Sequence, residues 1–452
     1  MDDSARDGGR QEAGALALLT DDELRRWARE HAAQCEELLG RDVRTMSCSD
    51  DPVAAAFGTA LLLLTPDRLR ADVFLAASAW DAVPADRRRA LALEYPAVVG
   101  PLNGAGFAER VGANRLLAAG LLRRLERQAS AVPGPKPLWR RISWQPMESA
   151  RRFVWGMRVG EQVAGVQRQL DGFRWAVQSP DAPGLLHAST EADGRFVAVS
   201  GEVGPGTRTV AVFVPGTLTY GNHLSMNMSR LSNIDGRSEA PGSAVGVYWQ
   251  GIEFPRFITD NANARYNQDA RERLSAFDAA LDVECARHVA GRVMQTYIGH
   301  SYGASAIGSA ESTAEGLTLD RMVYAGAPGT GFRVDVPQDT VNPDAERYAL
   351  IAPVDWKPLV GGLLYGRAMG GDPIREMGAQ LLETGFLEHA ARRGRLLKHN
   401  DYLLGGSTAA LNIRAVVLGR RTLPAVLRRP WPWGRMSDRR LRRRIDGLGW
   451  PK

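Results

Sequence analysis

The stretch Gly299-His300-Ser301-Tyr302-Gly303 decides the fold class of this 452-residue chain. The residues from Met294 to Ile298 before it are typical of a buried strand, and the small residues from Ala304 to Ala310 after it are typical of a tightly packed helix. A serine on so sharp a strand-to-helix turn has a strained backbone, and only small residues two positions before and after it avoid a clash. The pattern predicts that Ser301 is a nucleophile above the edge of a sheet, with a helix N-terminus behind it.

Composition limits the classes of protein that fit the chain. Its length favours two domains, and 44% hydrophobic residues suffice for a sizeable core without a cofactor. Cys35, Cys48 and Cys285 have no metal-ligand spacing, and their odd number fits a reducing cytoplasm better than a disulfide framework. No secretory signal is visible, and the longest apolar run, from Ala54 to Leu64, is too short to span a bilayer. We expect a cytoplasmic protein without a metal or cofactor.

The positive charge is concentrated at the C-terminus. From Arg420 onward the sequence has eleven Lys and Arg against two Asp, so the remainder of a chain of net charge +6 is mildly acidic. The run from Arg439 to Arg444, with Trp431, Trp433 and Trp450 nearby, has the composition of a segment that rests on an anionic membrane surface. A solvated tail without a partner is the simpler alternative, and nucleic acid is less favoured because the body is acidic.

The first part of the chain is predicted to be helical. Residues 1–135 carry helix-capping signals and almost no strand signals. In residues 136–190, apolar side chains recur at three- and four-residue steps from Val159 to Val177, which predicts a connecting helix with one buried face. The predicted N-terminal helices are 20–39, 54–64, 66–83, 87–95 and 106–128, followed by a linker at Pro133-Gly134-Pro135.

From residue 191 to 419 the pattern changes to short apolar strands that alternate with helices. Such a pattern indicates a mainly parallel sheet covered on both faces, so we predict an α/β architecture of the α/β-hydrolase type. A basic tail, residues 420–452, follows it. The predicted strands are 196–199, 209–214, 244–249, 292–298, 321–324, 348–351 and 396–398, with a long helix over 268–290.

A nucleophilic serine needs a base and a carboxylate further along the chain. The base takes the hydroxyl proton, and the carboxylate holds the base in the right tautomer. In an α/β-hydrolase these partners follow the serine in the order acid, then histidine. His389 and His399 are the histidines after Ser301. We prefer His399, because it directly follows the predicted last strand, whereas His389 lies in a segment predicted to be helical.

Two aspartates compete for the role of the acid. Asp355 follows the predicted strand 348–351, at the sheet edge where Ser301 is expected. Asp372 precedes Pro373, and turn formation alone explains an aspartate before a proline. We therefore predict Asp355 as the acid, with Asp372 as the alternative.

The tetrahedral intermediate of acyl transfer needs two backbone N–H donors. One is expected from Tyr302, directly after the nucleophile, and the other from the loop after an early strand. Here that loop is Val214-Pro215-Gly216-Thr217, and Thr217 is the candidate for the second donor.

Several stretches together resemble an actinobacterial α/β-hydrolase family long filed as a domain of unknown function, number ten twenty-three. The resemblance covers roughly residues 80–420, and the order and spacing of its segments are more specific than any one motif. The matching segments are 80–82, 95–100, 113–115, 214–217, 299–303, 325–329, 352–355, 371–373 and 399–403. The resemblance implies an α/β-hydrolase with Ser301 as nucleophile, Asp355 as acid and His399 as base. This chain departs from the family at Lys398 and Asn400, on either side of the histidine, and at Trp356 after the acid.

These observations predict a serine hydrolase that cleaves a small ester or thioester through an acyl-enzyme. A peptidase with the same triad is one alternative, and a non-catalytic binding protein on a hydrolase fold is another, because fold alone does not imply activity. The helical N-terminal region, or the segment 218–242 with Met226 and Met228, is expected to cover the pocket. The tail predicts a peripheral contact with a membrane.

Overall fold

The computed structural model describes residues 11–131, 164–312, 316–352, 366–389, 392–396 and 398–425, together with residues 355, 443, 444 and 447. The predicted linker at 133–135, the start of the connecting helix and most of the basic tail lie outside these residues. Within the described ranges, no helix is both long and apolar enough to cross a membrane. The three cysteines are not joined in disulfides.

An eight-stranded sheet forms the centre of the molecule. Its strands are β1 (Gly184–Ser189), β2 (Arg195–Ser200), β3 (Thr209–Val214), β4 (Ala244–Gln250), β5 (Met294–His300), β6 (Arg321–Ala325), β7 (Glu346–Leu350) and β8 (Gln380–Leu382). In space they lie in the order β1-β2-β4-β3-β5-β6-β7-β8. Strands β3 to β8 run parallel, and β2 is antiparallel to both of its neighbours. The central strand β3 is buried along its whole length, as its apolar sequence requires.

Helices cover both faces of this sheet. Four of them follow strands: α9 (Leu224–Ser232), α10 (Ala264–His288), α11 (Tyr302–Glu311) and α12 (Thr408–Val417). On one face, α9 and α12 pack their apolar side chains against Phe213 and Ile298. On the other face, α10 and α11 pack against Val212 and Tyr297. The predicted α/β-hydrolase architecture, with an all-helical region before it, is thereby confirmed.

The N-terminal helices pack against the edge of the sheet and against α10. They are α1 (Asp21–Glu30), α2 (Ala32–Leu38), α3 (Val43–Ser47), α4 (Pro52–Leu61), α5 (Arg70–Asp81), α6 (Ala85–Glu94), α7 (Pro96–Val99) and α8 (Phe107–Ala131), and residues 11–17 and 164–178 are also helical. In α8, Arg110 donates to the carbonyl of Leu186 in β1 at 2.7 Å. In α5, Arg70 forms ion pairs of 2.6 Å with both Asp278 and Asp282 of α10.

Local signals predicted most elements, and three predictions are wrong. Thr20 caps α1 as expected, but the predicted helix 20–39 is interrupted at His31. Leu396 and Lys398, the described residues of the predicted strand 396–398, are not in a strand. The sheet ends instead with the three-residue edge strand β8, which is too short to give a period-two signal. The segment that ends at His389 is not a helix but β9 (Phe386–His389), which pairs with β10 (Arg392–Arg395) in a hairpin. Cross-strand pairing there overrides the helix propensity of Leu387 and Glu388.

The helix within the segment 218–242, which is expected to cover the pocket, packs on one face of the sheet. This helix, α9, connects β3 to β4 and has Leu224, Met228 and Leu231 in the core. Met226 points away from this core and is 43% exposed. Met226 and Met228 therefore lie on different sides of the helix.

Candidate active site

Ser301 occupies a strained turn between β5 and α11. Its backbone has φ 54° and ψ −126°, a conformation that a residue with a side chain rarely adopts. A Cβ atom on Gly299 would clash with the backbone of Ala304, and one on Gly303 would clash with the carbonyl groups of Val214 and Pro215. The two glycines are therefore required for this turn, as the sequence pattern predicts.

Asp355 and His399 form a hydrogen-bonded pair. The Nδ1 atom of His399 lies 2.6 Å from Oδ2 of Asp355. The aspartate side chain is 1% exposed and the imidazole 9%. Asp355 follows the end of β7, where its N–H donates to the carbonyl of Ala352 at 3.0 Å. A buried carboxylate on Nδ1 holds the ring so that Nε2 is the atom available to take a proton.

The Ser301 turn, residues 299–303, and the His399 loop, residues 398–403, are tied together by His300. Its Nε2 lies 3.0 Å from the carbonyl oxygen of His399, and the two imidazole centroids are 5.0 Å apart. Burial lowers the pKa of His300 to about 3, so the ring is neutral and donates Nε2–H to that carbonyl. Among the described residues, no hydrogen bond joins the Ser301 hydroxyl to the His399 ring. Such bonds are often longer before substrate binds.

A glycine makes room for the imidazole. Gly326 directly follows β6, has φ +63°, and lies against the His399 loop. A Cβ atom there would lie 2.8 Å from Cε2 of Tyr402 and 3.0 Å from Cε1 of His399. Gly326 lies in the segment 325–329 of the family resemblance, but the sequence predicted no role for it. The available signal was its position directly after β6, the strand next to β5, which ends at the Ser301 turn.

The loop that carries Thr217 lies against the serine. A Cβ atom on Gly216 would be 2.9 Å from Cβ of Ser301, so the backbone of this loop approaches the nucleophile closely. In the described part of the chain, the N–H groups of Thr217 and Tyr302 donate no hydrogen bond to another group. Two unpaired donors beside a strained serine are suited to bind an oxyanion.

A side chain on another connection supports this loop. Thr217 Oγ1 donates to Oδ1 of the buried Asn261 at 2.8 Å, and the N–H of Leu218 donates to the carbonyl of Pro255 at 2.9 Å. Leu218 itself has φ 64°, so the loop is strained at that residue as well. Asn261 had no signal in the sequence, because it lies in a short 3-10 helix (Ile258–Ala262) within the connection from β4 to α10.

The alternative acid, Asp372, and the alternative base, His389, lie in other parts of the fold. Asp372 is exposed, and its Oδ1 accepts the N–H groups of Ile374 and Arg375 at 2.8 and 2.9 Å, so the carboxylate caps a turn. His389 ends β9 and pairs in register with Arg392. Within the described ranges, no group of three or more His, Cys, Asp or Glu could hold a metal ion.

A family model agrees with the fold, and two further comparisons with known proteins add nothing to it. A sequence model of an α/β-hydrolase family matches residues 190–360. No curated protein matches the chain significantly. The crystal structure of the 2,6-dihydroxy-pseudo-oxynicotine hydrolase is similar at 12% identity and a TM-score of 0.29, over 86% of this chain and 99% of that one. The family match, which includes β2 to β7 and Ser301, supports an α/β-hydrolase fold and a hydrolytic function for this chain.

Proposed function

We propose that the protein is a serine hydrolase that cleaves a carboxylic ester or thioester by acyl transfer. The observation that carries this proposal is the 2.6 Å hydrogen bond between His399 and Asp355. His300 connects the His399 loop to the strained Ser301 turn. The hydrolase fold supports the reaction class, and the choice of an ester or thioester rests on this site alone.

In this mechanism Ser301 Oγ attacks the acyl carbonyl while His399 Nε2 takes its proton. Asp355 keeps the proton on Nδ1 and stabilises the imidazolium that forms. The N–H groups of Thr217 and Tyr302 donate to the developing oxyanion, with the N-terminus of α11 behind them. His399 then protonates the leaving group, and a water molecule, activated by the same imidazole, releases the acid from the acyl-enzyme.

Exposed apolar side chains at the same edge of the sheet support an apolar acyl group. Leu218 follows β3, Phe257 follows β4 and Ile351 directly follows β7, and each is at least 40% exposed. The bond from Leu218 N–H to the carbonyl of Pro255 brings the first two segments together. Apolar surface next to a catalytic centre gains free energy when an acyl chain covers it.

Hydrolysis of matched substrates tests the proposal. Native protein and the Ser301→Ala variant are assayed with acetyl, butyryl and octanoyl esters of one phenol, the corresponding thioesters and an anilide. We expect Ser301-dependent turnover of esters and thioesters, with the anilide slower by orders of magnitude. Faster turnover of the anilide would favour the peptidase alternative, and turnover unaffected by Ser301→Ala would contradict the proposal.

A peripheral membrane contact through the basic tail is a separate proposal, supported by composition alone. Residues 420–425 pack on the body, where the N–H of Glu383 donates to the carbonyl of Leu423 at 2.9 Å, so a truncation must spare them. A chain that ends at Ala425 should hydrolyse soluble esters normally but lose binding to liposomes of anionic phospholipid. Equal binding with and without the tail would contradict this proposal.

A further inference from the structure

Tyr402 touches the candidate triad, and no step of the proposed mechanism uses it. The side chain is completely buried. Its hydroxyl donates to Oδ2 of Asp355 at 2.7 Å and accepts the N–H of Ala352, just beyond β7, at 2.7 Å. Burial and the adjacent carboxylate both raise the pKa of this phenol, so it remains protonated and acts as a donor.

The tyrosine and the histidine share one carboxylate oxygen. Oδ2 of Asp355 accepts from Tyr402 and also lies 2.6 Å from Nδ1 of His399. The two rings meet edge to face with centroids 6.2 Å apart, and both lie against Gly326. The chain of donors from the Ala352 N–H through the phenol to the carboxylate fixes both the direction of Asp355 and the amount of charge on its shared oxygen.

We propose that Tyr402 is a positioning residue that orients the Asp355 carboxylate toward His399 and takes part of its negative charge. This inference rests on the proposed function, because it assigns Tyr402 a role only if Asp355 and His399 perform the proton transfer. Two consequences separate this role from simple packing. Loss of the hydroxyl should lower kcat with little change in KM, and it should move the pH profile.

The direction of the pH shift follows from the charges that face His399. From the described elements packed against it, these are Asp355, Tyr402 and the neutral His300, with Lys398 and Asp401 in its own loop. The guanidinium of Arg230 in α9 acts on both His300 and Asp401 and is unchanged in the variants below. Without the phenol, the full negative charge of the carboxylate acts on the imidazolium and stabilises the protonated form of the ring. The base must be neutral to act, so the acidic limb of kcat/KM should move to higher pH.

The experiment compares Tyr402→Phe with Tyr248→Phe in the full chain, using the ester assay and thermal midpoints. Tyr248 is a matched control, since it is also completely buried and its hydroxyl donates to Oε1 of Gln250 at 2.7 Å. We expect Tyr402→Phe to lower kcat about 10- to 100-fold, by analogy with outer-shell partners of catalytic groups. The acidic limb of the kcat/KM profile of this variant should move to higher pH by up to about one unit. The control should change neither kcat nor the limb.

A second substitution covers the case in which Tyr402→Phe does not fold. Incorporation of 3-fluorotyrosine at position 402 keeps the shape of the side chain and strengthens its donor, so the acidic limb should move to lower pH. Unchanged kcat and an unshifted limb in either variant would overturn the role of Tyr402 while Ser301-dependent hydrolysis stands. Absence of Ser301-dependent turnover in native protein would overturn the proposed function, and this inference with it.

Discussion

The Ser301 turn and the His399 loop differ in how much of their geometry is local. The turn is determined by a strand, a helix and two glycines within five residues of sequence. The loop depends on segments far apart: Asp355 is 44 residues from His399, and His300 is 99 residues from it. A short motif predicts the first kind of geometry, and tertiary contacts produce the second. Substitutions in either region test whether the Ser301 turn and the His399 loop act as a unit.

The largest effect is expected when either reacting side chain is removed. Ser301→Ala and His399→Ala should each lower ester turnover by about 10⁴- to 10⁶-fold, and the double variant should lose little more, because the two groups act together. Steady-state kinetics of the three proteins measures this. His389→Ala is the control, and a loss equal to that of His399→Ala would show that the base is wrongly assigned.

The next effect separates the two candidate acids. Asp355→Asn keeps the shape of the side chain but permits the wrong imidazole tautomer, so kcat should fall about 10⁴-fold with the fold intact. Asp372→Asn should act on stability alone, because its carboxylate accepts only backbone N–H groups of its own turn in the described structure. The measurement is kcat together with the thermal midpoint of each variant. An inactive but stable Asp372→Asn protein beside a near-native Asp355→Asn protein would reverse the assignment.

A pair of glycine substitutions compares the two regions directly. In Gly303→Ala the new Cβ meets backbone carbonyl groups that cannot move, so we expect a stability loss of about 1–3 kcal/mol together with lost activity. In Gly326→Ala the Cβ meets the rings of His399 and Tyr402, so kcat/KM should fall. The alanine at φ +63° is also strained, so we expect a stability loss of about 1–2 kcal/mol with the fold intact. Urea unfolding and kcat/KM measure both. Native activity in Gly326→Ala would show that the His399 ring position does not matter.

Sequence reasoning selected both residues that the structure joins at 2.6 Å, but its argument for one of them was partly wrong. The preference for His399 rests on a last strand predicted at 396–398, but the described residues Leu396 and Lys398 are not in a strand. The Ser301 turn was predictable because its steric constraints lie within the motif. The support from Tyr402, Gly326 and Asn261 was not, because each of these residues acts on a segment that is distant in sequence.

The smallest expected effect is a loss of folding stability at low pH, to which His300 contributes. This residue joins the Ser301 turn to the His399 loop. Its pKa is lowered from about 6.5 to about 3 by burial, and the same cause lowers the pKa of His187 to about 3. Between these pH values the unfolded chain binds protons that the folded chain does not. Stability should therefore be full above about pH 6.5 and fall as the pH drops toward 3.

The variant His300→Gln measures how much of this acid-induced loss of stability comes from His300. The amide cannot titrate and can still donate a hydrogen bond, so the acid-induced loss should be shallower than in native protein by up to about 1 kcal/mol per pH unit. Urea midpoints from pH 7 to pH 4 provide the comparison. Equal slopes in the two proteins would show that folding does not lower the pKa of His300.

The central claim is that Ser301 is an activated nucleophile, and covalent labelling tests it most directly. A fluorophosphonate is attacked at phosphorus by an activated serine with loss of fluoride, and peptide mass spectrometry identifies the modified residue. The account predicts one adduct on the peptide that contains Ser301, none at that position in Ser301→Ala, and much slower labelling in a folded Asp355→Asn protein. Native protein that forms no adduct on Ser301, or that labels equally fast after Asp355→Asn, would contradict it.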